Sequence, residues 1–412
     1  MNQVTAILIG AGARGQIYAR YAQEHPEELR IMAVAEPKAD RRALMCRAYG
    51  IPADRAFSNW EDLLARPQMA DAALICTLDD MHTEPTLAAL KQGYHVLLEK
   101  PMSNSETECR AIAAAAEEAQ RVLSVCHVLR YTPFYRTIKQ LIDDGQVGEV
   151  ASLSQVENVG YWHHAHSFVR GNWRCSEQTS PMILQKSCHD MDILLWLSGQ
   201  RCTRVSSFGS LHHFDAAHAP QDAPLRCTDG CPHSVVCPYD AGKIYLTDNV
   251  GWPTDMLTTD LSREGRLKAL REGPYGRCVY HCDNDVVDRQ VVNLEFDNGA
   301  VAGFTMTAFT TDMARQLKVC GTKGQITADM NANTVSLHRF GESGPREITL
   351  ETPPQTNNYV HGGGDYYLMR DFVRAVQSGG DGNLSSARVS LQSHLICFAA
   401  ERSRVERRIV EL

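Results

Sequence analysis

Short, nearly continuous apolar runs alternate with helical patterns through the first third of the chain. Val4–Ile9, Ile31–Ala35, Ala72–Thr77, His95–Leu98 and Val122–Cys126 each read as a strand buried on both faces. Helix starts lie between them. Ser58-x-x-Glu61 and Ser105-x-x-Glu108 fit the capping box, and Gly93 stops the helix that precedes it. Apolar strands alternating with helices predict a parallel sheet covered on both faces. Beyond Thr132-Pro133, a cap followed by proline at the first helical position, the period changes. Glu149–Glu157 and Val291–Phe296 alternate with period two, and Asp297-Asn298-Gly299 signals a hairpin into Val301–Thr307. Ser180-Pro181 opens a helix expected to run through Leu197, with Gly199 as its stop. The second part therefore reads as an α+β domain with an open, mostly antiparallel sheet.

At ~150 residues per domain, 412 residues imply two or three domains. With 43% hydrophobic and 22% charged residues, the composition excludes a disordered, collagen-like or membrane-bundle chain. Lys plus Arg is 41 against 49 acids, a net −8, which argues against nucleic acid or anionic membrane as partner. The 14 cysteines are scattered, and the N-terminal apolar run is too short for a secretion signal, so reduced thiols and a cytoplasmic address are expected. The expected division is a nucleotide domain over 1–130 and a substrate domain over 131–412, with a Cys-rich insertion near 216–282.

Chemistry enters at Gly10-Ala-Gly12-Ala13-Arg14-Gly15, a full G-x-G-x-x-G between the first strand and the first helix. Glycines there permit a tight turn and close approach of a pyrophosphate to a helix N-terminus. Glu36 closes the second strand, where a carboxylate takes the adenosine ribose hydroxyls and repels a 2′-phosphate, so NAD is expected over NADP. An N-terminal Rossmann fold follows. Lys38, Arg41 and Arg42 nearby read as a solvated helix start.

Glu99-Lys100-Pro101 then puts a lysine at the carboxyl end of a parallel strand, facing the ligand crevice. Together GAGARG, Thr77 with His82, GYHVLLEKP, Arg130-Tyr131-x-Pro133 and a later helix with His189-x-x-Asp192 resemble the Gfo/Idh/MocA family of oxidoreductases. The resemblance implies a Rossmann domain followed by an α/β domain whose open sheet often serves as an oligomer interface, and so a homo-oligomer. It also implies a nicotinamide exchanging hydride with a sugar or polyol carbon. Lys100 would hydrogen-bond the reacting hydroxyl and His189 would act as general acid or base, the role to which imidazole is suited near neutral pH. Gly10, Gly12, Ala13, Arg14, Gly15, Glu36, Thr77, His82, Glu99, Lys100, Arg130, Trp173 and Arg174 would hold the cofactor.

One departure from the family pattern matters. Many members carry an aspartate four residues before the histidine, and this chain has Gln185. On a continuous helix Gln185, His189 and Asp192 would share a face, with Lys186 beside His189 and directed at substrate. Tyr161, His163, His164, Asn284 and His361 are further candidate substrate contacts, aromatic and polar groups being suited to a pyranose.

Cys227-x3-Cys231 and Cys237, with Cys282 after Cys278, raise a structural zinc site, although the spacing favours reduced thiols packed under a loop. Three functions are open. The leading one is an NAD-dependent oxidoreductase of a sugar, glycoside or polyol. A second is a redox-neutral glycoside hydrolase or lyase that oxidises carbon 3, eliminates the aglycone and re-reduces. The third is a non-catalytic sugar or NAD sensor, against which the retention of Lys100 and His189 argues.

Overall fold

The computed structural model describes residues 2–351 and 361–412. Six parallel strands form the first sheet: β1 (Val4–Ile9), β2 (Leu29–Ala35), β3 (Ala56–Phe57), β4 (Ala72–Ile75), β5 (His95–Leu98) and β6 (Leu123–Val125). Their order is β3-β2-β1-β4-β5-β6, the doubly wound arrangement that leaves a ligand crevice at the switch between β1 and β4. Apolar side chains on both faces pack under flanking helices, as the continuous runs predict. The two-residue β3 carried no sequence signal. Ser105 caps the helix Glu106–Ala119 by accepting from the Glu108 amide at 3.4 Å. The neighbouring expectation is corrected: Asn59, not Ser58, caps the helix Trp60–Leu64, accepting from Asp62 at 2.7 Å.

Nine strands form the second sheet: β7 (Val150–Asn158), β8 (Cys202–Ser210), β9 (Arg289–Phe296), β10 (Val301–Thr307), β11 (Ala314–Gly321), β12 (Gly324–Asp329), β13 (Thr334–Arg339), β14 (Arg346–Glu347) and β15 (Val410–Glu411). The order is β14-β13-β12-β11-β7-β10-β9-β8-β15, antiparallel throughout except where β10 runs parallel to β7. The predicted hairpin joins β9 to β10, with Gly299 at φ +86° supplying the left-handed turn residue. One face of the sheet packs against the helix Cys188–Ser198 in the largest apolar core of the molecule.

The two sheets are not separate along the chain. Tyr367, Leu368, Phe372 and Val373 of the C-terminal helix Gly364–Ser378 pack into the first core, so a late segment closes an early domain. Residues 211–288, between β8 and β9, form the insertion. Among the described residues no helix is long and apolar enough to cross a membrane.

Candidate active site

The glycine loop has the shape a pyrophosphate needs. A Cβ at Gly10 would meet the Cys76 carbonyl oxygen at 2.6 Å, and one at Gly15 the Gly10 carbonyl oxygen at 2.1 Å, so both positions need glycine for packing. At Gly12 the nearest atom would be Arg41 Nη1 at 3.9 Å. That face of the loop is open, at the start of the helix Ala13–Ala19 whose first amides have no side-chain cap. Glu36 ends β2, is buried, and accepts from the Ala11 amide at 2.8 Å and the Lys38 amide at 2.9 Å. Each carboxylate oxygen keeps lone-pair capacity for a ribose hydroxyl. These residues fit a dinucleotide.

Arg14 carries that loop to the next strand end. Its Nε donates to Glu99 at 2.7 Å and its Nη2 to Asp365, while the Tyr18 hydroxyl donates to the same Glu99 oxygen at 2.6 Å. Burial pushes the Glu99 carboxyl up, but Arg14, Lys100 and the Tyr18 hydrogen bond outweigh it and hold it below the usual range. Asp365 is likewise held down, to about 2, by Arg14 and His361 against the effect of burial. Beside Glu99, His82 is buried with Nδ1 2.6 Å from the Pro101 carbonyl oxygen and Nε2 3.2 Å from that of Thr77. It ties the Lys100-Pro101 turn to the end of β4. Its ring is thereby occupied in shaping the loop.

Lys100 Nζ donates to the Gln185 carbonyl oxygen at 2.8 Å, 85 residues away, joining the end of β5 to the second domain. That carbonyl is free because the predicted helix is not continuous. It breaks into Met182–Gln185 and Cys188–Ser198 across Lys186 and Ser187. The shared face is corrected for Gln185 alone: His189 and Asp192 stay one turn apart on Cys188–Ser198, and His127 adjoins both, at 6.0 Å between rings and 3.8 Å to the carboxylate. Asp192 is fully buried and bound bidentately by Arg130, at 2.6 and 2.8 Å. Arg130 also donates to the Leu384 carbonyl at 3.0 Å, so it is committed to the framework.

His189 opens the second half-helix, is 6% exposed, and has no hydrogen-bond partner at Nδ1 among the described residues. Burial, then Lys100, His127, Arg315 and His361, depress its proton affinity well below the ordinary histidine range, so the ring is neutral. His127 and His361 flank it with ring centroids at 6.0 and 6.1 Å. His361, at φ +54° in the glycine turn, pairs with Asp365 at 3.3 Å. His127 was not anticipated from sequence.

Lys186 is drawn into an ion pair, not with Asp190 of its own turn but with buried Glu157 of β7, at 3.2 Å. Arg315 of β11 lies 2.8 Å from both Glu157 and Asp190, and the Gln155 amide donates to Asp190 at 2.5 Å. Burial raises Glu157 above the usual carboxylate range despite Arg315 and Lys186. The same burial lowers Lys186 despite Glu157. Lys186 in turn acts on His163 and His361, both depressed first by burial. His163 Nδ1 lies 3.2 Å from the Val159 carbonyl oxygen, just beyond the end of β7.

Other candidates face elsewhere. His164 is fully buried, stacked on Phe214 at 5.2 Å, and is a core residue of the insertion side. Tyr161 packs edge-on to Tyr239, and Asn284 donates to the Phe214 carbonyl at 3.1 Å. Arg174 is bound bidentately by Asp283 at 2.8 and 3.0 Å. Trp173 does approach the nucleotide domain, donating to Asp79 at 3.2 Å, and Ser180 donates to the same carboxylate at 3.0 Å. Asp79, just beyond β4, was missed because nothing local marks it.

All 14 cysteines are free thiols. Cys227, Cys231, Cys237 and Cys278 line one small cavity with Arg170, while Cys282 donates to the Cys278 carbonyl at 3.2 Å outside it. A tetrahedral zinc site needs convergent sulphurs. Among the described residues, the set of three or more ligating groups mutually within 4.8 Å is His25, Glu27 and Glu28, so the zinc expectation is not supported.

Comparison with known proteins accords with this architecture. A model described as an oxidoreductase family with an NAD-binding Rossmann fold matches residues 4–127, and that family's C-terminal alpha/beta domain matches residues 139–412. YteT of Bacillus subtilis, named as an oxidoreductase, is 25% identical over 334 residues, 75% of this chain and 73% of that protein. An inositol 2-dehydrogenase of Corynebacterium glutamicum is 28% identical over 199 residues, 48% of this chain, which spans about half (55%) of that enzyme. A levoglucosan dehydrogenase solved with NADH and L-sorbose superimposes with a TM-score of 0.74 at 19% identity, covering 100% of this chain and 99% of the other. At that identity the likeness is one of fold.

Proposed function

Since this chain belongs to the Gfo/Idh/MocA oxidoreductase family, with an NAD-binding Rossmann domain, we propose that it oxidises or reduces a ring carbon of a sugar, glycoside or polyol with NAD as cofactor. The observation that carries this reading is the Lys100–Gln185 contact at 2.8 Å, which brings a strand-end ammonium to the break just before a neutral, buried histidine. Gly10, Gly12, Gly15 and Glu36 would hold the dinucleotide. When bound, it supplies the acceptor for the hydrogen that leaves the carbinol carbon with its electron pair.

The protein's part is proton handling and placement. Neutral His189 takes the hydroxyl proton in oxidation and returns it in reduction. Lys100 donates to the same oxygen and steadies its developing negative charge, at a site where low dielectric strengthens the effect. Glu99 and Arg14 fix the strand end on which Lys100 sits. Lys186, His163 and His361 stand on the substrate side and would meet other ring hydroxyls. The outer face of the nine-stranded sheet, where Phe208, Val291 and Val301 are exposed, supports association of this chain with itself.

The test is direct. Nucleotide released from purified protein is identified. The holoenzyme is then incubated with sugars, polyols and glycosides while NADH absorbance and aglycone release are followed together. NADH formation with intact glycoside is the expected result, and aglycone release without net NADH would instead mean the redox-neutral hydrolase. Lys100→Ala and His189→Ala should each reduce turnover by at least ~100-fold while sparing nucleotide binding. Near-normal turnover in either variant removes that residue from its role.

A further inference from the structure

The insertion buries two small clusters, Phe214, Tyr239, Cys278, Val279 and Tyr280 against Ala165, Val169 and Ala308, and Ala241, Tyr245 and Leu270. Arginines bonded to backbone carbonyls brace its loops between them. Arg170 donates to the carbonyls of Arg277 and Tyr239, both at 2.7 Å. Arg266 donates to those of Tyr245 and Thr247 at 2.9 and 2.8 Å, and Arg226 to that of Leu270 at 2.6 Å. Charged donors in a fixed fork hold loop backbone more firmly than neutral pairs do.

The same insertion carries Trp252, which packs against the segment that follows β7. Asn249 ties the turn by accepting from the Gly251 amide at 3.0 Å and donating to the Trp252 carbonyl at 3.2 Å. The Trp252 indole packs on Trp162 at 5.3 Å, on His163 at 5.0 Å and on His166 at 5.7 Å. Yet it is 41% exposed, an expensive way to place the largest apolar side chain. His163 ties it to the end of β7: its Nδ1 lies 3.2 Å from the Val159 carbonyl oxygen, two residues beyond Glu157, whose carboxylate pairs with Lys186 at 3.2 Å just before His189. A half-buried Trp162 continues the same wall.

We propose that Trp252, with Trp162, forms a second-ring subsite, so that the substrate is a glycoside whose aglycone carries a flat or apolar ring face, sugar or aryl. The oxidised ring sits by Lys100 and His189, and the second ring stacks on the indole. Sugar and aryl rings both offer such a face, and rigid aromatic walls recognise it with little ordering cost. This inference rests on the sugar-ring reading above.

The experiment uses the holoenzyme and matched methyl, phenyl and glucosyl glycosides of the same sugars in both anomers. Binding is read by calorimetry and turnover by NADH and aglycone release. Phenyl and glucosyl glycosides should bind at least ~10-fold more tightly than the methyl glycoside. Trp252→Ala should abolish that preference while leaving methyl glycoside affinity within ~2-fold, and Trp252→Phe should restore most of it. Thermal melting establishes that both variants are folded, and Trp162→Ala provides a second, smaller loss if Trp252→Ala does not fold. Equal affinities in the unaltered protein, parallel loss for both substrate types, or no binding of any glycoside overturns the subsite. Ring-dependent binding without any turnover upholds the subsite and overturns the oxidoreductase reading instead.

Discussion

The two flanks of His189 are built from the same kinds of charge and behave differently. On the nucleotide side, Arg130 with Asp192 and Arg14 with Glu99 and Asp365 leave every carboxylate held below its usual range. On the substrate side, Glu157 is raised and Lys186 lowered, each pulled toward its neutral form. Burial is the largest influence in all five groups, so the difference lies in the partners. Bidentate or clustered arginine overcomes desolvation, whereas one ammonium beside a carboxylate whose arginine is shared does not. The nucleotide flank is a fixed charge framework that aims Lys100. On the other flank the Glu157–Lys186 pair is less firmly held in its charged form.

The sharpest way to break this contrast is to remove one carboxylate from each flank. Asp192→Ala leaves Arg130 buried without its bidentate partner and should cost about 3–5 kcal/mol of unfolding free energy. Asp190→Ala should cost less, about 1–3 kcal/mol, because Arg315 Nε remains 2.8 Å from Glu157. Urea denaturation of both variants at neutral pH compares them. Equal losses would mean that the substrate flank is as rigidly specified as the other.

That asymmetry also separates what was legible in the sequence from what was not. The six-stranded sheet announces itself through unbroken apolar runs, and Gly10, Gly12, Gly15 and Glu36 lie at offsets fixed by one local turn. Lys100, His189 and Lys186 could be found because each sits beside a strand end or within a short motif. His189 and Asp192 share a face as their spacing implies, whereas Gln185 lies on a separate short helix, because nothing in the run QKSCHD marks the break at Lys186 and Ser187. His164 looked equivalent to His163. One residue of rotation before the wide helical turn Ala165–Arg170 points it at Phe214 instead. Asp79 with Trp173, Glu157 with Arg315, and Trp252 with His163 pair across 94, 158 and 89 positions. The Glu157–Arg315 pair follows from strand pairing and the other two from loops folded together, and none has a period along the chain.

A smaller effect is expected from Glu157→Gln, about 1–2 kcal/mol at neutral pH, since the amide keeps the shape and can still bond a neighbour. Its diagnostic is pH dependence. A carboxyl raised in the folded state binds more protons folded than unfolded, between its ordinary value near ~4.3 and its raised value. Stability contributed by Glu157 is therefore lost as pH rises through that window. The stability of the unaltered protein minus that of Glu157→Gln should fall from pH 4 to pH 8, as followed by thermal melts across that range. A difference that grows with pH would place Glu157 with the fixed carboxylates of the other flank.

The finest test uses Lys186→Gln. Lys186 lowers the proton affinity of His163 and His361, whereas the charges that act most strongly on His189 are Lys100, His127, Arg315 and His361. Removing the ammonium should therefore raise the titration midpoints of His163 and His361. Burial still depresses both rings, and Asp365 still favours the charged form of His361. The midpoint of His189 should move least, since Lys100, His127, Arg315 and His361 are the charges that act on it most strongly. Histidine ring resonances followed by NMR from pH 4 to pH 8 resolve the three shifts separately. Any acidic limb of kcat/KM set by His163 or His361 would move to higher pH in the variant, because a more basic ring picks up its proton earlier as pH falls. An equal upward shift of all three rings would mean that the two flanks share one electrostatic field. A shift confined to His163 and His361 would mean that the charge state on the Lys186 flank changes while His189, the proposed base, stays neutral.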